Sequence, residues 1–233
     1  MSAMHYDTLT IPEATRLQRL LREKLVIQPR DLPVHIIGGA DISFNRFSPT
    51  VYAGIVLLRF PDLQPLTYSL VKKDVHFPYI PGYLAFREVP ALMEAWAQLP
   101  QKPDVLVVDG HGIAHPRRMG IAAHFGALSG QASIGCAKKL LFGTYAEPGM
   151  ERGAHTPLLH QEEVIGSVLR TKAHVKPVFV SPGHLMDVGG SLSLIMQCTG
   201  RYRLPEPTRL AHNVVNLFRL GELPAGVTHL PSY

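Results

Sequence analysis

The chain has 233 residues, 46% of them hydrophobic, which is enough to bury one sizeable core and leads us to expect a single domain over residues 1–233. No apolar run approaches the length of a bilayer span, and charges sit early where an export signal would be apolar, so a cytoplasmic protein without a membrane partner is expected. The balance of 23 Lys and Arg against 18 Asp and Glu gives +5, and Cys136 and Cys198 match neither a zinc-ligand spacing nor a disulfide framework.

In chain order, Thr10-Ile11-Pro12-Glu13 has capping-box spacing, with Leu17, Leu20 and Leu21 giving an apolar face, which predicts a helix over about 11–24. Three strand-like runs follow, Val34 to Ser43, Val51 to Phe60 and Leu66 to Phe77, with short connections suited to an antiparallel meander. A helix from about Leu84 to Leu99, with Pro90 as a candidate kink, leads to Val105 to Val108. That run does not alternate, so it reads as a central, parallel strand buried on both faces. Beyond it come a helix near Met119 to Leu128, a strand through Ile134, strands at Val164 to Arg170 and Val178 to Val180, and helices near Ser191 to Cys198 and Pro207 to Leu220.

Three carboxylates interrupt apolar stretches: Asp41 after Ile36-Ile37-Gly38-Gly39-Ala40, Glu88 after Leu84-Ala85-Phe86-Arg87, and Asp109 after Val105 to Val108. Each has an ordinary reading. Asp41 and Asp109 could serve turns, and Glu88 could pair with Arg87. Taken together they suit a divalent cation, because isolated carboxylates in apolar settings lose hydration and oxygen-only ligands favour Mg²⁺ or Mn²⁺ over zinc. A meander, a helix and then a buried strand ending in Asp is the element order of the ribonuclease H-like fold, an α/β class with a mixed central sheet flanked by helices. In such a sheet the first and fourth strands are neighbours, which would bring Asp41 and Asp109 to one cation. Glu88 shares a helical stripe with Leu84, Leu92 and Ala95 and would face the sheet.

Basic residues cluster at Arg117-Arg118, Lys138-Lys139, Arg170 to Lys176 and Arg201 to Arg209, which suits a nucleic acid if they are not merely solvated faces. Lys138 follows a short strand, where a cation could hold a phosphate or steady transition-state charge. His212 lies on the polar side of the last helix with Arg209, Asn216 and Arg219; it could orient a water or be a surface histidine. Pro78 and Pro81 stiffen the backbone around Tyr79 and Ile80 into an apolar projection.

Phe77-Pro78-Tyr79-Ile80-Pro81-Gly82 runs into Leu84-Ala85-Phe86-Arg87-Glu88, and Val108-Asp109-Gly110-His111-Gly112 is followed by His115-Pro116-Arg117. With Gly135-Cys136-Ala137-Lys138, Arg170-Thr171-Lys172, Ser181-Pro182-Gly183-His184 and Leu204 to Arg209, the chain closely resembles the endonuclease V family over about residues 31–220. The resemblance implies a Mg²⁺-dependent repair endonuclease acting on DNA with deoxyinosine or other deaminated bases, as a monomer. It implies hydrolysis of the second phosphodiester bond 3′ to the lesion, leaving 3′-hydroxyl and 5′-phosphate ends. Asp41, Asp109 and Glu88 would hold the metal, with Lys138 and His212 assisting. Pro78, Tyr79, Ile80 and Pro81 would form a DNA wedge, and Gly82, Leu84, Gly110, Gly112, His115, Gly120, Ile121 and Leu141 a pocket for the flipped base. Two alternatives stay open: the same site acting on inosine in RNA, and a lesion-binding module without catalysis.

Overall fold

A computed structural model describes residues 6–45 and 48–231. Helix α1 (Ile11–Arg22) begins with a closed capping box: the Glu13 amide donates to the Thr10 hydroxyl, and the Glu13 carboxylate accepts from the Thr10 amide at 2.8 Å. Strands β1 (Ile36–Phe44), β2 (Thr50–Arg59) and β3 (Pro65–Asp74) form the expected antiparallel meander. The third strand stops short of the predicted Phe77. The amides of His76 and Phe77 donate instead to the Asp7 carboxylate, at 2.8 and 3.1 Å, and the backbone leaves the sheet there.

Helix α2 (Ala85–Gln98) runs through Pro90 without interruption. Strand β4 (Val105–Val108) lies between β1 and β5 (Ser133–Ala137) and is parallel to both. Helix α3 (Ile121–Ser129), strands β6 (His155–His160), β7 (Glu163–Leu169) and β8 (Val178–His184), helices α4 (Val188–Gln197) and α5 (Glu206–Leu220), and β9 (Gly226–His229) complete the chain. The nine strands are ordered β6-β7-β8-β5-β4-β1-β2-β3-β9.

Helices cover both faces of this mixed sheet, as in the ribonuclease H-like arrangement. Val105 and Val107 join Ile37, Val56, Ala211, Val215 and Phe218 in one core layer, against α5. Leu106 and Val108 point the other way, into a layer with Ile55, Val89, Leu92 and Phe125 from α2 and α3. The alternation along β4 therefore feeds both layers, which is why its sequence is apolar at every position. Strands β6 and β9 were not anticipated. Pro157 and two histidines obscure β6, which sits at the sheet edge where a proline costs no ladder bond, and β9 is short and half-buried. Among the described residues no helix is long and apolar enough to cross a membrane.

Candidate active site

The parallel pairing of β1 with β4 matches Ala40 to Val108, so Asp41 and Asp109 emerge side by side where β4 ends. The Asp109 amide continues the ladder, donating to the Ala40 carbonyl at 2.9 Å. Gly39, two residues before Asp41, lies directly under α5: a β-carbon there would be 1.9 Å from the Pro207 carbonyl oxygen. This close seating carries His212 over the strand end. Its Nδ1 donates to Asp41 Oδ2 at 3.0 Å, which brings this partly exposed imidazole to the acidic cluster. One ligand atom from each of Asp41, Asp109 and His212 can be chosen within 4.8 Å of the others.

Lys138 follows β5, the other neighbour of β4, and its ammonium contacts Asp109 Oδ2 at 2.5 Å. Arg203 steadies this turn by donating to the carbonyls of Lys138, Lys176 and Pro177 at 2.9, 2.8 and 2.7 Å. On α5, Asn216 meets His212 Nε2 at 3.1 Å, and Arg219 donates to the Asn216 side-chain oxygen at 3.3 Å. That order makes Asn216 the donor to Nε2 and leaves the imidazole proton on Nδ1.

Glu88 reaches the same centre from α2. Burial, followed by the charges of Asp41 and Asp109, pushes its carboxyl up to about 8, with Arg87 offsetting only part. Asp109 is also raised, by burial first and then by Asp41, although Lys138 opposes the shift. His212 is raised by its hydrogen bond to Asp41. Glu88 and Asp109 are thus both held back from ionising in a recess they share with Asp41, and a divalent cation would relieve that. The donor set, mostly carboxylate oxygen with one imidazole, fits Mg²⁺ or Mn²⁺.

Beside this centre is a pocket of about 420 Å³ that takes Glu88 and Asp109 as part of its wall. Gly82, Leu84, Gly110, His115, Gly120, Ile121 and Leu141 line it, as do Tyr79 and Pro81. Gly112 does not; a β-carbon there would strike the Pro182 carbonyl at 2.0 Å, so this glycine permits close packing on β8. Helix α3 starts at the pocket with Gly120 as its N-cap and no side-chain cap. His111, which the sequence reading did not single out, also lines the pocket. Its Nε2 donates to the Lys139 carbonyl at 3.0 Å, leaving buried Nδ1 as an acceptor without a partner among the described residues. The signal was present in the Asp109-Gly110-His111-Gly112 motif.

His115 is buried and neutral, its acidity set by burial first and then by Arg117, which lower it to about 4. Tyr79 is 59% exposed at the pocket rim, with its ring 6.0 Å from that of Phe44. Pro78 and Pro81 beside it are exposed and Ile80 is half-buried.

The basic clusters divide differently from expectation. Arg118 is buried, bonded to Glu163 and to the His115 carbonyl, and Arg170 is buried against Glu147 and the Pro148 carbonyl. Arg209 pairs with Glu206 and stacks 4.4 Å from the Tyr202 ring centroid. Long guanidinium stems found internal acceptors: Arg118 and Arg170 knit loops and strands together, and Arg209 pairs within α5. Lys139, Lys172, Lys176 and Arg201 remain exposed.

Residues 19–213 match the family model described as Endonuclease V. A protein named Endonuclease V from Myxococcus xanthus is 49% identical over 212 residues, covering 91% of this chain and 90% of that one. The crystal structure of the endonuclease V from Streptomyces avermitilis superposes with a TM-score of 0.87 at 37% identity, over 91% of this chain and 94% of that one. The Ciona intestinalis endonuclease V, crystallised with a 24mer DNA containing an inosine followed by a ribo-adenosine, aligns with a TM-score of 0.79 at 26% identity, over 91% and 98% of the two chains. On the family match and the identity across nearly its whole length, the chain belongs to the endonuclease V family, whose members are nucleases.

Proposed function

We propose that this protein is a Mg²⁺-dependent endonuclease that recognises a deaminated base in DNA, chiefly hypoxanthine, and hydrolyses the second phosphodiester bond 3′ to it. The supporting observation is the shared wall: the carboxylate centre and a pocket of nucleobase scale have Glu88 and Asp109 in common. Asp41 and Asp109, with Glu88 directly or through water, would hold the cation. When bound, Mg²⁺, or Mn²⁺ in its place, would supply water activation and stabilise charge on the leaving 3′ oxygen.

The chain's own groups do the remaining work. Lys138 can turn from Asp109 to a phosphoryl oxygen, where a preorganised cation stabilises the negative transition state. His212 holds Asp41 in one orientation through Nδ1, and a water could take the place of Asn216 at Nε2. In the pocket, the start of α3, which has no side-chain cap although its Ala122 amide donates to the His111 carbonyl, suits a keto oxygen through the positive end of the helix, and an imidazole acceptor such as His111 suits a ring N–H. Deamination of adenine creates that pair, a carbonyl in place of an amino group and a protonated ring nitrogen. Tyr79 and its proline neighbours would fill the gap left by the rotated nucleotide, offsetting part of the unstacking cost.

A second reading has an observation of its own: the Ciona relative was crystallised on a strand with a ribonucleotide next to the inosine. Inosine in RNA is therefore part of the test. Matched inosine and adenosine oligonucleotides, as DNA and RNA, are incubated with Mg²⁺ or chelator and the nick is mapped. The proposal expects Mg²⁺-dependent nicking of inosine DNA one nucleotide beyond the lesion, with 3′-hydroxyl and 5′-phosphate ends. Cleavage confined to inosine RNA would select the second reading, and binding without cleavage would select the non-catalytic module.

A further inference from the structure

The segment from Pro78 to Gly82 is held at both ends. At its start, the Phe77 amide donates to the Asp7 carboxylate at 3.1 Å, and the Phe77 carbonyl accepts from Arg87 at 2.5 Å. At its end, the Gly82 carbonyl accepts three donors: Arg117 at 2.6 Å, the Gln18 amide at 3.0 Å and His115 Nε2 at 3.1 Å. Gly82 has φ of +82°, the left-handed backbone that turns its carbonyl away from the projecting segment. Arg117 is fixed further, donating from Nε to the Gln18 side-chain oxygen and stacking 4.1 Å from the Tyr83 ring centroid. The Tyr83 hydroxyl in turn meets the Thr15 hydroxyl at 2.7 Å.

Asp7, Thr15 and Gln18 belong to the N-terminal segment and α1, ahead of the residue 19 at which the family match begins. Gln18, inside α1, is fully buried, which is unusual for a polar side chain on a helix whose next residues are exposed. Its amide is satisfied on both sides, by the Gly82 carbonyl and the Arg117 guanidinium, so its burial serves this junction. Arg117 likewise commits Nε and Nη2 to internal acceptors.

We infer that Asp7, Gln18 and Arg117 are positioning residues that brace the Tyr79 projection from behind, so that it enters a duplex as a rigid wedge. The inference rests on the wedge reading of Pro78 to Pro81 given above. A rigid projection loses little conformational entropy when it is driven between stacked bases, whereas a loose loop must be ordered first. The brace therefore matters when strands must be parted and is idle on a single strand.

The test compares wild type with Asp7→Ala, Gln18→Met and the double variant on inosine-containing duplex and single-stranded DNA. Half-saturating enzyme concentration and single-turnover rate are measured for each. The double variant should need about tenfold more enzyme on duplex, stay within about twofold on single strand, and keep its rate at saturation. Asp7 is exposed, so Asp7→Ala carries the test even if Gln18→Met folds poorly. Hydrogen exchange of the free protein gives a second readout: Asp7→Ala should speed exchange of the His76 and Phe77 amides. Arg117→Gln, which removes the charge, should show the same duplex-selective loss with an unchanged salt slope.

Equal losses on both substrates, or no loss on duplex, overturn the brace. So does a fall of about 0.9 in the salt slope for Arg117→Gln, the mark of a lost phosphate contact. A wild-type protein that nicks neither inosine strand overturns the functional reading itself, an outcome distinct from nicking with equal losses.

Discussion

The carboxylate centre and the Pro78 to Pro81 loop contribute to the wall of one pocket, through Glu88 and Asp109 on one side and Tyr79 and Pro81 on the other, yet they are built on opposite principles. At the centre, three acids face one another with Lys138 and the His212 N–H as partial compensation, and Glu88 is pushed up to about 8 by burial first and then by the charges of Asp41 and Asp109. In the loop, the amide of Phe77 and the carbonyls of Phe77 and Gly82 all have partners, and the nearby His115 is held neutral. One region is left electrostatically incomplete and so invites a cation. The other is complete before any substrate arrives, which suits a part whose task is to keep its shape.

The comparison breaks most visibly at Asp109. Asp109→Ala should lower nicking by on the order of 10³-fold or more, since several kcal/mol of transition-state stabilisation pass through the metal site. In chelator, the same variant should melt no lower than wild type, because one of the competing charges has gone. Near wild-type nicking, or a collapse of metal-free stability, would mean that the acids are not in conflict.

The neutral side of the pocket can be probed with acid. Burial lowers His115 to about 4 and His124 to about 3, below the ordinary 6.5. A histidine with a depressed folded pKa binds fewer protons folded than unfolded between those values. Stability therefore falls as pH drops from 6.5 toward 4, by at most about 3 kcal/mol for each group. Urea midpoints measured across this window should decline, and His124→Gln should flatten the decline. Glu88, raised to about 8, acts in the opposite direction in this window, so the deciding result is the difference: a His124→Gln profile parallel to wild type would contradict the neutral assignment.

Tyr79→Ala separates the regions by substrate. It removes a space-filling side chain and no metal ligand, so duplex inosine should need roughly tenfold more enzyme while single-strand inosine changes little. Single-turnover rates at saturation should stay near wild type. Equal losses on both would move Tyr79 from the wedge to the base pocket.

The smallest effect concerns the exposed cations. Lys139→Gln should reduce the slope of log affinity against log salt by about 0.9, whatever the base. Arg118→Gln should instead leave the slope alone and lower the melting temperature, because its guanidinium is buried against Glu163. The reverse pattern would restore the original reading of the Arg117-Arg118 cluster.

What could be read from sequence was whatever repeats locally or interrupts a pattern. The capping box at Thr10, the unbroken Val105 to Val108 run and the acids ending apolar stretches each carry their meaning within a few residues. The Asp41 and Asp109 encounter followed because parallel neighbours in a known sheet order need no further information. Pairings between distant segments were not legible. Nothing near Arg117 announces Gln18 or Gly82 as its partners, and nothing near Asp7 announces the amides of His76 and Phe77. A cluster of arginines looks the same on the page whether its side chains face phosphate or a carbonyl. Strand β6 was missed for a related reason, since its place at the sheet edge, which tolerates Pro157, exists only once β7 is beside it.

The seating of α5 on Gly39 works as a gauge block. The helix rests at a height set by a hydrogen atom, since any larger substituent would meet the Pro207 carbonyl. That height is what allows the His212 ring, a turn further along, to reach Asp41 at 3.0 Å. A single methyl at residue 39 would raise the helix start and lengthen that reach. The imidazole's calibration thus resides at a position with no chemistry of its own, and drift there would be felt first as a fall in the raised basicity of His212.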